Sequence, residues 1–179
     1  MKLGVPEVAK TLRNLGVARR INPVPSLLLG TIELTPLEVA SLYQPLAAGG
    51  FQVPLRAIRD VTDADGKPLG RYALNVRQAA DPVAVAELRE GLMGVVSGGT
   101  ARYAGKKLPA HLRVAGKTGT TDDLRDSWFA GFGADRLAVV WVGRDDNRPA
   151  KLTGASGALR VWTDLMLAAP PLSLPANQG

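Results

Sequence analysis

The run Lys117-Thr118-Gly119-Thr120-Thr121 gathers one amine and three hydroxyls within GKTGTTDDLRDSWFAGF, residues 116–132. On an extended strand alternate side chains share a face. Thr118 and Thr120 then point together and can present two hydroxyls to one ligand group, such as a carboxylate. Lys117 points the other way locally, but its long stem can reach an adjacent cavity. There it adds positive charge, either for an anion or for tuning a neighbouring hydroxyl's proton transfer. Gly119 removes a side chain where a substrate backbone could run alongside the strand. The N–H of Thr120 could serve as half of an oxyanion hole. A bare Lys-Thr-Gly triplet is a weak signal, and an edge strand with polar decoration is its plain alternative. What gives it weight is the context: a glycine before it, a second threonine pair after it, then DSWFAGF and VVWVGRDDN.

These residues need a strand, and the chain predicts one. Residues 112–118, 127–132 and 137–142 read as three short strands in succession, with a tight turn at Ala134-Asp135, hence an antiparallel meander. Helices are predicted on either side. Residues 5–15 carry apolar side chains at Val5, Val8, Leu12 and Leu15, with Gly16 as a C-cap. Thr35, Pro36 and Glu38 form the start signature of a helix that stops at Gly49-Gly50. Pro82 opens another, with an apolar face at Val85, Leu88, Leu92, Val95 and Val96, ended by Gly98-Gly99. Residues 155–167 predict a last helix. Residues 53–62 alternate like a half-buried strand, with Asp65-Gly66 as a hairpin turn and a return strand at 68–72. Residues 26–34 are apolar and ambiguous. The fold class is α+β, an antiparallel meander sheet with helices packed on it. Residues 1–168 read as one domain portion, and the Pro-rich tail at 169–179 as disordered.

Composition closes several routes. The chain has 179 residues, no cysteine and one histidine, His111, which excludes disulfides, thiolate metal sites and a histidine metal cluster. His111 reads as a surface residue. Net charge is +6, but Arg19-Arg20 and Lys106-Lys107 are the only basic pairs, so the charge reads as a solvated surface. Aromatic residues are 5%, too few for a base-stacking platform, so no nucleic-acid partner is expected. No apolar run reaches about 18 residues, and no signal peptide opens the chain. No metal or cofactor is expected. Asp145-Asp146 reads as a solvated loop, Asp126 as structural and paired with Arg125 or Arg144, and Tyr103 as loop packing near a cleft entrance. Arg144 has no evident role. Trp128 and Phe129 fit sheet packing at least as well as substrate contact.

Taken in order, GKTGTT, DSWFAGF, VVWVGRDDN and KLTGASGA resemble the C-terminal half of the transpeptidase domain of the bifunctional class A penicillin-binding proteins, closest to the 1B type. The upstream PVPSLLLGTIELTPLEVASLYQPLAAGGFQVPLRAI and GVVSGGTARY are similar to the same domain, so the likeness runs from Met1 to about Leu167. It implies part of a serine β-lactamase/penicillin-binding transpeptidase fold. It also implies a peptidoglycan D,D-transpeptidase that cross-links stem peptides through a serine acyl-enzyme and binds penicillin. By that likeness Lys117 and Thr120 are catalytic, and Thr118, Gly119, Thr120 and Thr121 bind substrate: a D-Ala-D-Ala stem peptide or a β-lactam. The family carries three motifs, Ser-x-x-Lys, Ser-Asp-Asn or Ser-x-Asn, and Lys-Thr-Gly. Only the third is present. Ser26, Ser41, Ser97, Ser127, Ser156 and Ser173 have no lysine at the third following position and no asparagine at the second.

A fragment is therefore expected, inactive alone, whose parent is anchored in the inner membrane with this portion in the periplasm; the family likeness also implies a peptidoglycan glycosyltransferase fused in the parent. Any membrane contact would run through the missing N-terminal part. Exposed apolar surface could drive self-association. The competing reading is a non-catalytic peptide- or partner-binding module that uses the same edge strand. A serine β-lactamase would need the same missing serine.

Overall fold

The computed structural model describes residues 4–58, 60–70 and 73–175. Five helices are present among them: α1 (Val5–Asn14), α2 (Pro36–Ala47), α3 (Pro82–Ser97), α4 (Arg102–Lys107) and α5 (Ala158–Ala168). Five strands accompany them: β1 (Phe51–Gln52), β2 (Arg77–Gln78), β3 (Ala115–Thr120), β4 (Ser127–Phe132) and β5 (Leu137–Val142). The ambiguous apolar stretch contains a 3-10 helix, Pro25–Leu29.

The meander forms as expected, in the order β3-β4-β5 and antiparallel throughout. Its first strand starts at Ala115 and extends to Thr120, later than the pattern suggested. Strand register pairs Lys117 with Ala130, Thr118 with Phe129 and Thr120 with Ser127. Residues on one face of β4, Phe129 and Gly131, meet Trp162 of α5. Residues on the other face, Ala115 and Phe132, join Leu46 of α2 and Val85 and Leu92 of α3. The sheet is thus sandwiched, with α2 and α3 on one side and α4 and α5 on the other. The α5 side holds the largest apolar group: Val96, Ala104, Leu108, Phe129, Leu159, Trp162 and Met166 are all buried. A satellite cluster of Ala9, Val17, Ile21 and Leu27 secures α1.

Local signals explain the helix ends. Thr35 accepts from the Glu38 N–H, and the Glu38 carboxylate accepts from the Thr35 N–H at 2.8 Å, a reciprocal cap. A threonine cap of this kind contributes about 1 kcal/mol. The Thr35 N–H first, then Arg19, hold the Glu38 carboxyl below its ordinary pKa. Asp81 caps α3 by accepting from the N–H groups of Val83 and Ala84.

Four expectations change. Residues 53–58 and 60–62 do not form a strand, and Arg59 lies outside the described residues: the turn is made, with Asp63 accepting from Asp65 and Lys67, but among the described residues only Thr62 and Pro68 bridge beyond it. Leu55, Ile58, Val61 and Leu69 stay exposed, so this hairpin has no apolar surface to pack against, and an isolated two-stranded ribbon is marginal in water. The end of the expected return strand, Arg71 and Tyr72, lies outside the described residues. In α3 Leu88 is 48% exposed, because the packed face runs through Val85, Leu92 and Val96. The tail is not disordered over 170–175: Leu174 is buried and its N–H donates to Arg113 O, while Ala134 N–H donates to Leu172 O. Residues 176–179 lie outside the described residues. The short helix α4 carried no periodic signal and was not expected.

Candidate active-site edge

β3 pairs only with β4 among the described residues, so its second edge is open. Backbone groups of successive strand residues point to opposite edges. The Thr121 N–H donates inward, to Asp126 O at 3.2 Å. Alternation therefore turns the Thr120 N–H outward, toward the open edge. The Thr118 carbonyl faces the same way, and it accepts from Lys117 Nζ at 3.0 Å. The lysine, exposed on the face opposite the threonines, has curled its ammonium round to that edge.

The two threonine hydroxyls lie on the α5 side, as the alternation predicts. Each has a partner behind it. Thr120 Oγ1 accepts from the Gly154 N–H at 2.9 Å. Thr118 Oγ1 lies 2.7 Å from Thr100 Oγ1. Because an N–H can only donate, the Thr120 hydroxyl keeps its own proton for another acceptor. Gly154 must be glycine for this: a Cβ there would stand 2.6 Å from Gly119 O, 2.7 Å from Trp128 O and 2.9 Å from Thr118 Cβ. Its loop is held by Ser127, whose buried hydroxyl donates to Thr153 O at 2.7 Å and accepts from Ala158 N–H at 2.8 Å. Gly119 stands opposite Trp128 in the register.

Thr121 differs from expectation. Its hydroxyl donates to Asp126 Oδ2 at 3.0 Å and accepts from the Asp126 N–H at 2.8 Å, so it closes the turn into β4 and has no proton left for a ligand. Asp126 is structural, but its partners are Thr121 and the Trp141 indole N–H, not Arg125 or Arg144. Arg125 pairs with Asp123, and Arg144 with Asp146. That Arg144 contact, then the Arg148 N–H, hold the Asp146 carboxyl below its usual value. Phe129 is core, edge-on to Trp162 at 4.9 Å. Trp128 lies on the opposite face and packs with Trp141 at 6.3 Å. Tyr103 sits on α4 with the Arg160 guanidinium 3.5 Å above its ring. His111 is exposed.

Two contributors escaped the sequence reading, Thr100 and Gly154. Their only trace was position: each adjoins a glycine-rich break, SGGT and LTGASG.

Residues 23–159 match the family described as the penicillin binding protein transpeptidase domain. The chain belongs to that family. It is 46% identical over 182 residues to penicillin-binding protein 1B of Vibrio cholerae, covering 100% of this chain and 23% of that protein. It is 44% identical over 163 residues to penicillin-binding protein 1B of Escherichia coli, covering 90% of this chain and 19% of that one. The fold matches the crystal structure of penicillin-binding protein 1A from Haemophilus influenzae with a TM-score of 0.84 at 23% identity, over 98% of this chain and 33% of the other. The chain thus spans under a quarter of the length of these curated relatives. The α+β penicillin-binding transpeptidase fold expected from the motifs is the fold observed.

Proposed function

We propose that this chain is the carboxylate-binding portion of a peptidoglycan D,D-transpeptidase, working with a serine nucleophile carried on residues outside it. The observation that carries the reading is the convergence at the open edge of β3: the Lys117 ammonium, the outward Thr120 N–H and two hydroxyls whose oxygens are already held from behind. An extended peptide can add to such an edge as a further strand. Thr118 and Thr120 then donate to its terminal carboxylate. The serine attacks the penultimate D-Ala carbonyl, and the Thr120 N–H stabilises the oxyanion as it forms. Lys117 supplies positive potential and helps the proton move from the serine toward the leaving D-Ala amine. An amine of a second stem peptide resolves the acyl-enzyme. Penicillin would take the same route as far as the acyl-enzyme, its carboxylate on the same hydroxyls.

In this reading residues 1–168 are the C-terminal portion of the catalytic domain, and the Ser-x-x-Lys and Ser-x-Asn motifs lie outside the chain. The bifunctional parent would carry a glycosyltransferase and a membrane anchor, with this portion in the periplasm. Among the described residues no helix is long and apolar enough to cross a membrane.

Intact mass after incubation with benzylpenicillin tests this. The chain alone is expected to gain no mass. The longer protein that includes the upstream residues is expected to gain one penicillin. An adduct on the chain alone would overturn the missing serine. A longer protein that takes no adduct would favour the edge strand as a non-catalytic peptide-binding module.

A further inference from the structure

We infer that Thr100 is a positioning residue for the carboxylate site, acting through the hydroxyl of Thr118; the inference rests on the transpeptidase reading above. Thr100 stands in the break between α3 and α4, and its hydroxyl lies 2.7 Å from that of Thr118, eighteen residues on. Its backbone has little freedom. The preceding Gly99 N–H donates to Gly94 O and Val95 O, and the following Ala101 N–H donates to Val95 O at 3.0 Å. Ala101 and Ala104 are wholly buried beside α3, in the same core as Val96. Thr100 is thus an exposed residue on a fixed base, and among the described residues its hydroxyl bonds to no side chain but Thr118.

A hydroxyl has one proton to give. Either oxygen of the pair can be the donor. If Thr118 donates to Thr100, it has nothing left for a carboxylate. If Thr100 donates to Thr118, the Thr118 proton is free to point at the open edge. An ionised carboxylate only accepts, so binding one selects the second arrangement. Protons then run from Thr100 to Thr118 to the ligand, and each bond polarises the next. Thr120 already has the equivalent arrangement, because the Gly154 N–H behind it can only donate. Thr100 does for Thr118 what Gly154 does for Thr120. It touches no substrate itself. Its contribution is largest when the ligand carries a negative charge, because a hydrogen bond to an ionised acceptor is the stronger one.

The test uses the longer protein with its nucleophile and measures the acylation rate constant with benzylpenicillin and with benzylpenicillin methyl ester. Thr100→Val keeps the shape and removes the hydroxyl; Thr100→Ser keeps the hydroxyl. For the free acid, Thr100→Val is expected to be slower by about fivefold, the weight of one hydrogen bond between neutral hydroxyls, and Thr100→Ser by less than about twofold. For the ester, whose carbonyl accepts but carries no charge, Thr100→Val is expected to be slower by no more than about twofold. An unchanged acid rate in Thr100→Val would overturn the inference alone, as would equal losses for acid and ester, which would mark a purely structural role. If the unaltered protein is acylated by neither form, the transpeptidase reading fails and the inference falls with it.

Discussion

Lys117→Ala, made in the longer protein that carries the serine, is expected to slow acylation by penicillin by about 10²- to 10⁴-fold, the usual weight of a group assisting proton transfer. The structure gives three reasons. Lys117 is the residue whose ammonium reaches the open edge of β3, bonded to Thr118 O rather than to a carboxylate. It is exposed and packs into no core, so its removal should leave the fold intact. And its neighbours Thr118 and Thr120 retain their own partners without it. Lys117→Arg should not restore the rate, because a planar guanidinium is a different shape and does not readily give up its proton. The check is the acylation rate constant, with the melting temperature measured alongside. A loss below about tenfold would mean that Lys117 lies outside the group assisting proton transfer.

The largest expected effect on stability lies on the far side of the same sheet. Trp162→Ala should cost about 3–5 kcal/mol, as large aromatic truncations in a core do. For a chain of this size that is a fall in melting temperature of roughly 6–20 °C. Trp162 is fully buried in α5 and packs edge-on against Phe129 of β4. The strand has made room for it: a Cβ on Gly131 would lie 2.8 Å and 2.9 Å from two indole atoms. The indole Nε1 is nonetheless buried with no hydrogen-bond partner among the described residues. Trp162→Phe removes that unpaired donor, so it should lose less than half of what the alanine variant loses. Thermal unfolding of both variants decides this; an alanine variant within about 1 kcal/mol of the parent would show that the core relaxes around the gap.

What could be read from the sequence was whatever is encoded within one or two elements. The Thr35–Glu38 cap is a four-residue pattern, and β4 and β5 are two six-residue, largely apolar runs with a tight turn between them. The faces of Thr118 and Thr120 followed from strand geometry alone. Errors arose where a local pattern needed a distant partner. The alternation over 53–62 is real, but among the described residues no sheet receives it. Leu88 extends the apolar stripe of α3 past the width of what covers it. Asp126 was matched to nearby arginines by charge, whereas the hairpin brings it the Trp141 indole, fifteen residues away. Thr100 and Gly154 stand eighteen and thirty-four residues from the threonines they support, and nothing in their immediate neighbourhood names those partners.

The buried hydroxyl of Ser127 has a consequence for how the molecule breathes. One atom of β4 holds both Thr153 O and the Ala158 N–H, and the segment between them carries the amide that supports Thr120. That segment looks like a surface loop, and surface loops commonly open with little cost in free energy. Here opening it would strand a Ser127 hydroxyl that has no exposure to water. Loop and sheet should therefore open as one cooperative unit. In amide exchange, Gly154 and Ala158 should be protected with β4 rather than with the exposed chain on either side of them.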